Sequence, residues 1–227
     1  MPRRRPKTKP SPAGKKPADG DGTPEPLRII GGRYRGSKLS YEPLTHDGAT
    51  VTRPMKHRVR EAIFNLIGMR AEGKHAIDLF AGTGALALEA LSRGAKRATL
   101  IERHIPTAEI VRANVEALGV EEVCEVKTTN AFLWIKRDLP AFATELPWLV
   151  FVSPPYSFFV ERHDEMLGMI NTLADAAPAG SLLVVESDER FDFAPLPGGV
   201  RLERGDPGWD VRTYAPAVVG VLEVEPA

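Results

Sequence analysis

Short apolar runs recur along the second two-thirds of the chain. They are His75–Phe80, Ala98–Glu102, Val123–Lys127, Trp148–Val152 and Leu182–Glu186. Between them lie segments whose apolar residues fall at helical spacing: Ala85–Arg93, Pro106–Leu118, Ala131–Lys136 and Asp164–Ala176. The runs predict buried strands and the spaced segments predict helices. Pro106 near the start of its segment and Gly119 just past the end bracket a helix in the usual asymmetric way. Regular strand–helix alternation predicts right-handed crossovers and a mostly parallel sheet covered on both faces, an α/β fold. Val200–Glu225 breaks that rhythm. Its β-prone runs are interrupted by Asp206-Pro207-Gly208 and Ala215-Pro216, with no room for a crossover helix. An antiparallel pair at the sheet edge is expected there.

Upstream the pattern differs. Val59, Ala62, Ile63, Leu66 and Ile67 predict an amphipathic helix over 55–68, with Lys56, His57, Arg58 and Arg60 assigned to its polar side. Residues 27–52 hold short β-prone pieces around Gly31, Gly32 and Gly36, read as a small hairpin or arm. Residues 1–26 carry seven basic side chains and many prolines, with almost nothing apolar to offset the entropy of ordering. A disordered tail is expected. It is either a solubilising extension or an arm for nucleic-acid phosphates. The expected division is therefore 1–26 tail, 27–70 arm and helix, and 71–227 main domain.

Composition narrows the classes. Apolar residues make up 43% of the 227, enough for a core, and 30 basic residues balance 30 acidic ones. That balance argues against a protein that binds by bulk charge. One cysteine, Cys124, in a run read as a core strand, supports no disulfide framework and no zinc cluster. A reducing compartment is the simplest reading, and no metal is expected. No apolar run approaches the roughly 18 residues that span a bilayer. The basic N-terminus lacks the apolar stretch of a secretory signal. A cytoplasmic protein without membrane contact is expected.

The segment from Ile77 to Ala87 ends a predicted strand and opens a predicted helix. Gly82 and Gly84 permit a tight turn and close approach of a ligand to the main chain, and such strand ends line the binding crevice of open α/β sheets. The pattern matches the G-x-G-x-x-A dinucleotide fingerprint. With Asp78 ahead of the glycines it also matches the methyltransferase form. Glu102 closes the next strand, where a carboxylate can accept both ribose hydroxyls of an adenosine. NAD and S-adenosylmethionine share that ribose, so Glu102 does not separate them.

Ser153-Pro154-Pro155-Tyr156 follows the fourth strand and does separate them. Two prolines fix two φ angles, and Pro155 forces Pro154 to be extended. The rigid turn presents a hydroxyl, a carbonyl and an aromatic ring in fixed relation. An exocyclic amine, whose lone pair is conjugated with its base, needs all three: acceptors to hold it near a methyl donor and a ring to stack on the base. A dehydrogenase has no use for them.

With these residues in place, the chain resembles the RsmD-like group of bacterial 16S ribosomal RNA guanine-N2 methyltransferases, from about Arg28 to Glu223. The resemblance rests on Arg28-Ile29-Ile30-Gly31-Gly32 with Arg35-Gly36, on Thr52-Arg53-Pro54 with Arg58–Asn65, and on Asp78–Leu86 continuing through Glu89–Ala95. It implies a Rossmann-like class I fold with a seven-stranded sheet and an N-terminal arm that contacts RNA. It implies that Asp78, Gly82 and Gly84 cradle the methionine part of S-adenosylmethionine, that Glu102 holds the ribose, and that Phe80 is a further cofactor-binding residue. Asn130 and Ala131 fall where the family places the adenine ring. Arg35, Arg53, Arg58 and Arg60 are the implied RNA contacts. The implied partner is ribosomal RNA or an intermediate of the small subunit, and no obligatory protein partner follows. One departure stands out: the family usually carries aspartate where this chain has Ser153, and serine brings no charge. The leading expectation is in-line methyl transfer to guanine N2 by Ser153, Pro154, Pro155 and Tyr156. An amino-methyltransferase of DNA or another RNA, and an inactive RNA-binding assembly factor, are the alternatives.

Overall fold

The computed structural model describes residues 26–41, 45–46, 49–50, 57–142, 145–203 and 205–225. The expected tail lies outside these residues apart from Pro26, and so do Thr52, Arg53 and Pro54. In chain order the named elements are β1 (Thr45–His46), β2 (Ala49–Thr50), α1 (His57–Ile67), β3 (His75–Asp78), α2 (Ala85–Ser92), β4 (Arg97–Glu102), α3 (Ile105–Leu118), β5 (Cys124–Thr128), α4 (Ala131–Arg137), β6 (Trp148–Val152), α5 (Phe158–Glu161), α6 (His163–Ala176), β7 (Leu182–Asp188), β8 (Asp210–Tyr214) and β9 (Ala217–Glu223). Seven strands form one sheet in the order β5-β4-β3-β6-β7-β9-β8. The first five pair in parallel, while β9 pairs antiparallel with both β7 and β8. The mostly parallel sheet and its antiparallel edge pair are therefore both present.

The buried strands are apolar on both faces, as a sheet covered by helices requires. Every residue of β6 is buried, and β7 is buried from Leu182 to Ser187. Two core clusters result. One joins α1 and α2 to Ala98, Leu100, Phe151 and Val184. The other joins Trp134, Met166, Ile170 and Leu173 to Ile77, Val150 and Leu183. Among the described residues no helix is long and apolar enough to cross a membrane.

Three sequence expectations need correction. The first strand ends at Asp78, not Phe80, because the chain turns there: the Ala81 N–H already donates to the Ile101 carbonyl at 3.0 Å. Cys124 is half-buried on β5, the edge of the sheet, and not in a core strand. Burial still pushes its thiol up to about 12. Arg60 does not belong to the polar side of α1. Val59, Arg60, Ile63, Phe64 and Ile67 are the buried residues of that helix, and position 60 shares a face with 63, 64 and 67 at helical spacing.

The arm is pinned to α2. Glu89, fully buried, accepts the N–H groups of Ile30 at 2.6 Å and Gly31 at 2.8 Å, and the Arg93 side chain at 2.7 Å. Ser92 donates its hydroxyl to the Gly31 carbonyl and accepts the Tyr34 N–H at 2.9 Å. Gly32 has φ +75, and a Cβ there would lie 1.9 Å from the Ser92 carbonyl oxygen, so only glycine fits. Asn114 of α3 ties Ser40 of the arm to the Thr83 carbonyl at 3.1 Å.

Candidate active site

The strand order reverses beside β3: β4 and β5 lie on one side, β6 and β7 on the other. Such a switch point opens a crevice at the carboxyl ends of the strands. Asp78 ends β3, Glu102 ends β4, Asn130 follows β5, Ser153 follows β6, and Glu186 lies near the end of β7. Sequence positions spread over more than 100 residues thus share one rim.

On the β3 side, Gly82 and Gly84 both have positive φ, +53 and +78. They differ in surroundings. A Cβ on Gly82 would meet only the Phe80 carbonyl, at 3.9 Å. A Cβ on Gly84 would lie 3.0 Å from Leu100 and 3.2 Å from Val111. Gly82 leaves room for a ligand, and Gly84 lets α2 pack on the sheet.

Asp78 is 1% exposed, and neither carboxylate oxygen has a hydrogen bond of good geometry within the described residues. Burial pushes the carboxyl up to about 7. The N–H groups of Phe80 and Ala87 pull against this, while Glu102 and Glu186 add to it. A buried carboxylate without good partners is costly and suits a cationic ligand. Glu102 accepts the N–H of Gly82 at 3.0 Å and of His104 at 2.8 Å, which fixes its side chain beside the turn. Asn130 caps α4, accepting the N–H of Phe132 at 2.9 Å, and Ala131 is buried beneath it. Asp78, Gly82, Glu102 and Asn130 are the residues that could hold a nucleoside cofactor.

On the β6 side, Ser153 donates its hydroxyl to Glu186 in a short hydrogen bond. Tyr156 donates its own to the other oxygen of Glu186 at 2.6 Å. Burial, then that bond, pushes the phenol of Tyr156 well above its ordinary range. The Pro155 carbonyl accepts the Phe158 N–H at 2.9 Å, and Pro154 is buried. Phe80 after β3, Phe132 in α4 and Phe158 in α5 meet with ring centres 6.2–6.3 Å apart. The Arg162 guanidinium sits 3.9 Å above the Phe132 ring.

Asp78, Phe80, Gly82, Gly84, Glu102, Asn130, Ala131 and the turn from Ser153 to Tyr156 thus fall at or beside one crevice. The predicted RNA contacts do not behave alike. Arg35 and Arg58 are exposed, while Arg53 lies outside the described residues. Arg60 is fully buried, and its Nη2 donates to the Arg28 carbonyl at 2.5 Å. Burial pulls its pKa down, against the attraction of Glu89. Arg60 anchors the arm from inside and cannot face RNA. Sequence reasoning missed Glu186. The available signal was an acid closing an apolar run, as Glu102 does.

Comparison with known proteins bears on the family and the fold. A family model described as conserved hypothetical protein 95 matches residues 27–205. The ribosomal RNA small subunit methyltransferase D of Escherichia coli (strain K12) is 33% identical over 179 residues, covering 78% of this chain and 83% of that protein. The solved structure of the Escherichia coli protein yhhF has a TM-score of 0.65 at 28% identity, covering 89% of this chain and 99% of that one. A 16S rRNA N2 methyltransferase of Thermus thermophilus, solved with AdoMet and guanosine, has a TM-score of 0.61 at 19% identity, covering 87% of this chain and 49% of that one. At that identity the likeness is one of fold.

Proposed function

Since the chain belongs to the RsmD-like family of ribosomal RNA methyltransferases, we propose that it transfers a methyl group from S-adenosylmethionine to guanine N2 of 16S ribosomal RNA. The observation that carries this reading is the Ser153–Tyr156 turn at the end of β6, beside the crevice that holds Asp78, Gly82 and Glu102.

The residues present fit the methyl donor. Asp78 offers a buried carboxylate without good partners to a cationic amino acid moiety, Gly82 leaves space at its Cα, and Glu102 stands where a ribose can reach it. Bound S-adenosylmethionine supplies an electrophilic methyl group on a sulfonium. The chain's own residues must then hold an amine in line with it. Ser153 Oγ can accept one N–H of the amine. The Pro155 carbonyl is taken by Phe158, which leaves the Pro154 carbonyl as the second acceptor of the turn. Tyr156, pinned through its hydroxyl, can present its ring to the base. Arg35 and Arg58 are the described arginines suited to RNA phosphates, with Arg53 and the tail alongside them in the sequence. An RNA substrate made in the cytoplasm puts the protein there.

The test is incubation with labelled S-adenosylmethionine and unmodified 16S ribosomal RNA or small subunits, followed by nucleoside analysis. Label in N2-methylguanosine is expected. Label confined to another nucleoside removes the guanine assignment, and no transfer to either substrate leaves an RNA-binding factor without this activity.

A further inference from the structure

An exocyclic amine that gains a methyl group must lose a proton, and neutral Ser153 cannot keep one. Behind Ser153 lies a carboxylate that can. Glu186 is 6% exposed, and its two oxygens are held by two hydroxyls of the same turn, Ser153 on one and Tyr156, at 2.6 Å, on the other. Both hydroxyl protons point at Glu186. Ser153 Oγ therefore has its lone pairs turned outwards, and its oxygen is made a better acceptor by the negative charge behind it.

We propose that Glu186 is a positioning residue that acts through Ser153 as the proton acceptor of methyl transfer. The step rests on the methyltransferase reading above. The amine nitrogen forms its bond to the methyl carbon, and the carbon–sulfur bond breaks with its electron pair remaining on sulfur. One amine proton passes to Ser153 Oγ as the hydroxyl proton of Ser153 passes to Glu186. The positive charge of the methyl donor and the negative charge of Glu186 disappear together, so no charge is left on the methylated base. Tyr156 keeps Glu186 aimed at Ser153 and its own ring in place.

Glu186→Gln keeps the shape and removes the charge. Positioned acid–base groups contribute about 100- to 10,000-fold, so single-turnover transfer should fall by about 100-fold. KM for RNA should hold, because it does not need the proton to move, and methyl-donor affinity by calorimetry should not fall, since losing the charge of Glu186 only eases the ionisation of Asp78. Adding Ser153→Asp to Glu186→Gln restores a carboxylate at the amine itself and should recover most of the loss. Transfer by Glu186→Gln at the wild-type rate overturns the proposal. So does a slow Glu186→Gln that Ser153→Asp leaves unimproved, since Glu186 is then only a clamp. If Glu186→Gln does not fold, the wild type decides: two protons in flight predict a solvent deuterium effect on single-turnover transfer, and its absence overturns the relay. A wild type that labels no RNA removes the methyltransferase reading and this step with it, whereas an active wild type matched by Glu186→Gln removes this step alone.

Discussion

Glu89 holds Gly31 from 58 positions along the chain: its buried carboxylate accepts the Gly31 N–H at 2.8 Å. The same carboxylate takes the Ile30 N–H and the Arg93 side chain, and it lies near enough to attract the buried Arg60. The arm and the first crossover helix are thereby one unit. Glu89→Ala strips several partners at once and leaves the Arg60 guanidinium buried without its counter-charge. Breaking a buried pair in this way costs about 3–5 kcal/mol. At roughly 2–4 °C per kcal/mol for a chain of this size, the melting temperature should drop by about 10 °C. Thermal unfolding of the variant checks this, and a melt unchanged from wild type would show that the arm contributes nothing to stability.

Gly82 and Gly84 should fail in different ways. Gly82→Val meets little but its own positive φ, a strain of about 1–2 kcal/mol. It should keep a folded protein and abolish binding of S-adenosylmethionine. Gly84→Ala drives a Cβ against Leu100 and Val111 in addition to the strain of φ +78, and overpacking of this kind costs about 1–3 kcal/mol. Its main loss should be stability. Calorimetry and urea unfolding on both variants separate the outcomes. Undiminished affinity in folded Gly82→Val would take the glycine turn out of the site.

Asp78 should couple methyl-donor binding to pH. Its carboxyl is raised from 3.8 to about 7, chiefly by burial. Between those values the folded protein keeps a proton that the unfolded chain gives up. Stability from this group is full below 3.8 and lost as pH rises towards 7, by about 4 kcal/mol at 1.36 kcal/mol per pH unit. His75 runs the other way. Burial, with Arg97 adding, lowers it from 6.5 to about 4, so its contribution is present above 6.5 and lost as pH falls to about 4. The two slopes oppose each other in the wild type. Asp78→Asn should unmask the His75 slope, and its stability relative to wild type should climb from pH 4 to 7. A cationic ligand beside Asp78 should expel the proton, so affinity for S-adenosylmethionine should rise with pH up to about 7. Calorimetry in buffers of different ionisation enthalpy reads the released proton, and its absence below pH 7 would place the ligand's charge elsewhere.

The tail should contribute to RNA affinity. Each phosphate contact made by its seven basic residues should add about 0.7–0.9 to the slope of log affinity against log salt. Removing residues 1–26 should flatten that slope and leave the methylated nucleotide unchanged. An identical slope with and without the tail would make it a solubilising extension.

Local pattern was enough to read the sheet. Trp148–Val152 is β6 with both ends as expected, and the helices of the crossovers fall within a residue or two of their predicted ends. Apolar period and Gly and Pro punctuation are short-range properties, and strand–helix alternation leaves few topologies open. Glu102 and Ser153 were legible as candidates because each closes or directly follows a run, and Asp78 because it stands four positions ahead of Gly82; strand ends in such a sheet share a rim. What joins one strand end to another was not legible. The pairing of Ser153 and Tyr156 with Glu186, the grip of Glu89 on Ile30 and Gly31, and the burial of Arg60 all depend on contacts between residues more than 25 positions apart. An arginine or glutamate on a sequence carries the same charge whether it faces water or the core. Only packing decides which, because burial is affordable solely where another segment brings the partner.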